Sequence, residues 1–149
     1  MRRYGATGAQ TPNTTTYKSI LQLTGATTFR FGLYDVVFST NGTPADNDIT
    51  YGIQRTTADG TDTAVTPAPL DPADPASLVT AGEDASSEPT DASIIPLLEV
   101  GVHQRATFRW AAAPGGEIIV AAVANEGLTL QSLSSAFTGK TLATAYWQE

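Results

Sequence analysis

The sequence predicts an all-β protein, an antiparallel β-sandwich of jelly-roll type with about eight strands. Three observations predict it. Charged residues make up only 15% of the chain, well under the roughly 25% of an average domain, and Thr, Ser, Asn, Gln, Asp and Gly carry most of the polarity. β-Branched polar side chains suit exposed sheet faces better than Lys and Glu do. Apolar and polar residues alternate in short runs, and turn chemistry separates these runs at sandwich-like intervals.

A length of 149 residues suits one domain with its own core, roughly 100–150 residues being the commonest size. Residues 1–16 are Gly, Ala, Thr, Gln and Asn in the main, with Pro12 among them. They lack apolar content, so an extended N-terminal arm is expected there, ordered on a neighbour or frayed. The sandwich then runs from 17 to 149.

The elements follow in order. Tyr17, Ser19, Leu21 and Leu23 share one parity of a first strand, and Gly25-Ala26-Thr27-Thr28 turns it. Phe29 to Phe38 is too aromatic and β-branched for a helix; Phe29, Phe31, Leu33 and Val37 share a face, and Gly32 is the expected bulge. Asn-Gly, Thr-Pro and Asp-Asn-Asp make 39–48 a turn region. Ile49, Tyr51 and Ile53 alternate in a third strand. Residues 57–93 hold Pro67, Pro69, Pro72, Pro75 and Pro89, which break ladders, so a long acidic loop is expected. Within it, Asp74 as cap, Pro75 at the first position and Gly82 as stop predict one short helix. Strands resume at Ile94–Val102, broken near Pro96, and at 105–110, where Ala106, Phe108 and Trp110 alternate with Arg105, Thr107 and Arg109. Ala113-Pro114-Gly115-Gly116 turns into Glu117–Val123, and Asn125-Glu126-Gly127 turns into a strand with Leu128, Leu130 and Leu133. Leu142–Trp147 closes the chain.

The formal net charge is −7, which repels phosphate backbones and argues against direct nucleic-acid binding. Ten of the fifteen acids lie between Asp46 and Asp91, where Arg55 is the only base; this reads as a solvated acidic face or one that meets a basic partner. Without Cys there are no disulfides and no thiolate metal ligands, which suits folding in a reducing cytoplasm. No apolar h-region follows Arg2-Arg3, and no apolar run approaches the ~20 residues of a membrane span.

No catalytic, cofactor or metal site is expected. His103 is the single His and has no acid or nucleophile near it in sequence. Asp46-Asn47-Asp48 and Asp59-Gly60-Thr61-Asp62 resemble fragments of calcium loops but lack the full ligand spacing, so turn roles are expected. Gly115-Gly116 lacks the Lys of a phosphate loop, and Ser132, Ser134 and Ser135 lie in no nucleophile elbow. The candidate residues are interface residues: Arg2, Arg3 and Tyr4 on the arm, and Arg105 and Arg109 on one strand face, which is either a polar sheet face or one expected to make salt bridges across subunits. Trp110 and Trp147 are core or interface anchors.

Three stretches, Gly5-Ala6-Thr7-Gly8-Ala9-Gln10-Thr11-Pro12-Asn13-Thr14, Leu70-Asp71-Pro72-Ala73-Asp74-Pro75-Ala76-Ser77, and Gln104 through Trp110 to Gly115-Gly116-Glu117, give the chain its likeness to other proteins. It resembles a group of short structural proteins of tailed bacteriophages and prophages. The resemblance implies a virion role, a capsid decoration (cement) protein on the outer surface of the head, made in the bacterial cytoplasm. Its implied partners are the major capsid protein and further copies of itself, a trimer being favoured. No individual residue carries a role over from the resemblance. The other reading is a tail or fibre module that binds host glycans, with Tyr4, Tyr51 and Tyr146 as stacking surfaces.

Overall fold

The computed structural model describes all residues from Met1 to Glu149. It is all-β, with no helix and two antiparallel sheets forming a sandwich. Thirteen strands build it: β1 (Arg3–Gln10), β2 (Lys18–Thr24), β3 (Phe31–Thr43), β4 (Asp48–Ala58), β5 (Thr61–Val65), β6 (Ala68–Pro69), β7 (Thr80–Ser87), β8 (Thr90–Asp91), β9 (Leu98–His103), β10 (Phe108–Ala111), β11 (Ile118–Val120), β12 (Gly127–Ser134) and β13 (Thr138–Gln148). The first sheet runs β10-β3-β13-β1-β6, with β11 also beside β3. The second runs β5-β7-β2-β12-β4-β8, with β9 also beside β4.

One apolar cluster fills the space between the sheets, so the chain has a single core. Ile49, Tyr51 and Ile53 of β4 enter it as the alternation predicts. Phe38 of β3 stacks on Tyr51 of β4 at 4.7 Å between ring centres and ties the two sheets together. Trp147, on the last long strand, stacks at 6.2 Å on Tyr4, on the first.

Four expectations need correction. Residues 1–16 are not an extended arm, because Arg3–Gln10 is a strand inside the first sheet. It pairs with β13 from Arg3↔Gln148 to Gln10↔Thr141, and β6 lies on its other side. Its inward positions are Tyr4, Ala6, Gly8 and Gln10, small apart from the Tyr and the Gln, so the second sheet can come close. A Cβ on Gly8 would stand 2.5 Å from the Ile20 carbonyl oxygen. The low apolar content is therefore what close sheet packing requires here, not a sign of disorder.

Residues 57–93 are not one irregular loop, since they contain β5, β6, β7 and β8. The helix expected over 74–82 does not form. Asp71 builds a turn instead, accepting the Ala73 N–H at 2.9 Å on its carboxylate and the Asp74 N–H at 3.0 Å on its carbonyl. From Thr80 the chain pairs with β2, and the side chain of Glu149 holds Ser77 and the Val79 N–H. Finally, the bulge in β3 falls at Tyr34 and not at Gly32. Leu33 faces Trp147 and Asp35 faces Tyr146, which leaves Tyr34 as the extra residue.

That single insertion flips the side-chain parity of β3. Phe31 and Leu33 point into the core before it, Val36 and Phe38 after it. Val37, expected on the core face, is thereby sent to the outer face, where it lines a hollow.

Candidate binding surface

The displaced parity of β3 creates the most distinctive surface of the molecule. On the outer face of the first sheet, Tyr34 and Asp35 both stand outward, because the bulge puts two consecutive residues on one side. Arg109 of β10 lies opposite Val37 in register and reaches Asp35 with both arms of its guanidinium. Nε donates to one carboxylate oxygen at 2.9 Å and Nη2 to the other at 2.5 Å. Asp35 has a side chain only 12% exposed, whereas that of Arg109 is 64% exposed. The Asp35 hydrogen bonds and charge hold the Arg109 guanidinium above its usual range. Arg109 is thus a fixed, oriented cation.

Arg3 enters from the opposite side. It sits on β1 across from Gln148, and its guanidinium lies 5.9 Å from the centre of the Tyr34 ring. Burial raises the Tyr34 hydroxyl above its ordinary value, with Arg3 acting in the opposite sense. The hydroxyl is a neutral donor at neutral pH. The ring of Tyr146 of β13 lies against Gly5, where a Cβ would meet it at 2.9 Å, so a glycine at 5 is what seats this aromatic. Leu70 is half exposed beside it, anchored by its N–H to the Arg3 carbonyl at 2.8 Å.

Tyr34 separates two open hollows. One, of about 440 Å³, is lined by Tyr34, Asp35, Val37, Leu70, Arg109 and Tyr146. The other, of about 290 Å³, is lined by Arg3, Tyr34, Ala112, Pro114, Glu117 and Gln148. Two aromatic rings, an exposed Leu and two arginines on a rigid sheet form the residue mixture of an interface centre.

Of the residues singled out from sequence, the structure brings together Arg3, Arg109 and Tyr146. Arg2 is exposed next to Arg3 and exchanges backbone hydrogen bonds with Glu149 at 3.1 and 2.9 Å. Tyr4 is buried in the core, its hydroxyl donating to the Pro75 carbonyl at 2.9 Å, so it is not an interface residue of the free chain. Tyr51 is fully buried as well, which removes it and Tyr4 as stacking surfaces. Arg105 does not share a face with Arg109, because it lies in the turn between β9 and β10, which belong to different sheets. There it meets Asp46 at 3.2 Å, and His103 Nε2 is 3.7 Å from the same carboxylate oxygen, itself well exposed. Asp59 accepts from Gln22 at 2.9 Å and Thr24 at 2.6 Å, holding a turn against the second sheet. No group of three or more His, Cys, Asp or Glu gathers in metal-holding geometry.

Sequence reasoning missed Tyr34, Asp35 and Leu70. The signal for the first two was present, since Tyr34-Asp35 interrupts the apolar run of β3. Nothing in the sequence pointed to Leu70, which reaches the site only because β6 pairs with β1. Comparison with protein-family models, with curated proteins and with solved structures finds no match to this chain.

Proposed function

We propose that the protein is a binding module without catalytic function, a decoration protein that docks on the outer surface of a tailed-phage head and stabilises contacts between major capsid subunits. The observation that carries the reading is the outer face of the first sheet, where Tyr34 stands between Arg3 and Arg109 above two open hollows. The resemblance of the sequence suggests the particle, and this face suggests the contact. We read the sandwich as a jelly-roll variant, a rigid scaffold suited to clamping. An anchoring Tyr flanked by arginines meets a neighbouring protein surface as such residues do at interface centres.

The test is cosedimentation of the purified chain with heads that lack decoration. The wild-type chain binds them, and Tyr34→Ala loses at least about tenfold in affinity, the scale of an interface anchor. Failure of the wild-type chain to bind overturns the capsid reading, and unchanged binding by Tyr34→Ala overturns the assignment of the face.

One observation favours a second reading, a tail module that binds glycans. Tyr34 and Tyr146 rim the same hollow as the Asp35–Arg109 pair, so an aromatic surface and directed polar groups face one space. Density on the tail and not on the head lattice, seen by cryo-electron microscopy of the particle, decides for that reading.

A further inference from the structure

We propose that β9 is the seam by which two copies of this chain pair edge to edge, with Gly101 on the two-fold axis. This edge is separate from the outer face of the first sheet, and its pairing does not depend on the docking reading.

β9 pairs with β4 and with nothing else, so its far side is an open sheet edge. The Gln104 N–H donates to the Asn47 carbonyl at 3.0 Å, and Gln104 continues the register of β9 on β4. Antiparallel pairs alternate, so Leu98, Val100 and Val102 aim their backbone groups at β4, while Glu99 and Gly101 aim theirs outward. An open edge of this kind is a template for another strand. Beside it lies the most exposed apolar stretch of the fold, with Ile94 97% and Ile95 71% exposed and Leu97 close to half exposed. Leu98, Val100 and Val102 are themselves only partly covered by the core. Neighbouring apolar side chains left this exposed beside an open edge favour an interaction site there.

Gly101 identifies the occupant. A glycine inside a strand weakens it by roughly 0.5–1 kcal/mol relative to Ala, and it signals a bulge, a bend or the close approach of another backbone. The register of β9 on β4 is unbroken, and φ at Gly101 is not positive. A Cβ there would meet nothing within 4 Å. Every other glycine either meets neighbouring atoms within that distance or, as at Gly115, has a positive φ. Gly101 is therefore the one glycine inside a strand whose Cβ would stand in open space, with neither packing nor backbone conformation in the monomer to call for it.

A second copy explains it. When two β9 strands pair antiparallel about Gly101, residues of like facing meet: Val100 opposite Val102 on the inner face, and Glu99 opposite His103 on the outer face, each twice by symmetry. The outward-aimed backbone groups of Glu99 and Gly101 find partners. The Glu99 carboxylate, which accepts the Tyr17 hydroxyl at 2.7 Å, meets the imidazole of His103, itself 3.7 Å from Asp46, on both sides of the axis, and the empty Gly101 pair leaves room for them to close over it. The apolar Ile94–Leu97 stretch then lies against the other copy. A two-fold pair differs from the trimer that the resemblance implies, and sedimentation separates the two.

The experiment uses the full chain and single-cysteine variants, which report cleanly because the chain has no Cys of its own. Sedimentation velocity over a concentration series is expected to show a dimer. Gly101→Cys is expected to cross-link that dimer under mild oxidation. Glu99→Cys is not, since position 99 of one copy would stand about 13 Å along the strands from position 99 of the other, beyond disulfide reach. Gly101→Glu places like charges opposite one another at the axis and is expected to weaken the dimer several-fold while leaving thermal unfolding of the monomer unchanged. A chain that stays monomeric, a trimer, or equal cross-linking of the two single-cysteine variants overturns the proposal. So does a monomeric Gly101→Cys variant whose thiol becomes protected only on capsids, which would assign the edge to a strand donated by another protein.

Discussion

Tyr51 illustrates how a single atom sets a residue's energetic sign. Its ring is fully buried against Phe38, but its hydroxyl is buried without a hydrogen-bond partner. Burial also drives its pKa upward, so the hydroxyl stays neutral. An unpaired buried hydroxyl costs about 1–3 kcal/mol in protein settings. Tyr51→Phe is therefore expected to stabilise the fold by about 1 kcal/mol, read as a higher urea midpoint with unchanged slope. A lower midpoint would mean that the hydroxyl is satisfied. Asp62 makes the same point with charge. Its carboxylate lies directly over Gly82, where an added Cβ would come within 2.0 Å of its Oδ2. Partial desolvation of this surface carboxylate, and then the neighbouring Asp59, raise its pKa above the ordinary carboxylate value. A raised acid pKa means that the folded state resists ionisation, so stability rises as pH falls from neutral toward the unfolded value near about 4. Asp62→Asn mimics the protonated form. It is expected to raise Tm at pH 7 and to lose that advantage at about pH 3, where both states are already protonated. An advantage that persists at the lower pH would show that the gain is not electrostatic.

Elements were legible in the sequence where one face had to be apolar. Ile49, Tyr51 and Ile53 alternate because the far side of β4 is polar, and Pro114-Gly115 turns the chain because Gly115 takes a φ of +81°. Elements were illegible where packing asked for small or polar side chains. β12 is buried at every position except Leu133, and its outward Thr129 and Gln131 are covered nearly as fully as its leucines. The reason is that the turn at Asp59-Gly60 and the segment around Ser93 lie over the second sheet and bond Gln22 and Gln54. Strand β1 hid for the same kind of reason, being built of small residues. Gly8 is the sharpest case. A side chain there meets the Ile20 carbonyl at 2.5 Å, and backbone in a sheet cannot step aside. Gly8→Val is expected to destabilise by about 1–3 kcal/mol, the cost of overpacking a well-filled site. Gly101→Val, on an open edge, is expected to leave Tm of the monomer near the wild-type value, and equal losses in both variants would refute the distinction. The candidate surface was half legible for a related reason. Arg3 and Arg109 stand out as rare cations in an acidic chain, but a one-residue bulge decides which of their neighbours face outward.

At the scale of the whole molecule, the chain closes its first sheet with its own beginning and end. β13 lies between β3 and β1, and β1 takes β6 on its other side. The first strand is therefore interior, and its loss would open the sheet along β13 from Thr141 to Gln148. It would also remove Tyr4 from a core in which that ring is fully buried and stacked on Trp147. Deleting a buried aromatic alone costs about 3–5 kcal/mol, against a net stability of roughly 5–15 kcal/mol for a typical domain. Ala9 and Gln10 add to the loss. The Ala9 N–H donates to Glu83 at 2.8 Å, and the Gln10 amide donates to the Ala85 carbonyl at 3.1 Å, so β1 also fastens β7 of the opposite sheet. A dispensable arm and an interior strand thus make opposite predictions for one variant. Removal of residues 1–10 is expected to abolish cooperative unfolding, leaving no thermal transition by circular dichroism and no dispersed amide spectrum. A truncated chain that unfolds cooperatively near the wild-type Tm would return those residues to the role of an arm. It would also move Arg3 off the docking face, because the position of that guanidinium over Tyr34 is set by the pairing of β1 with β13.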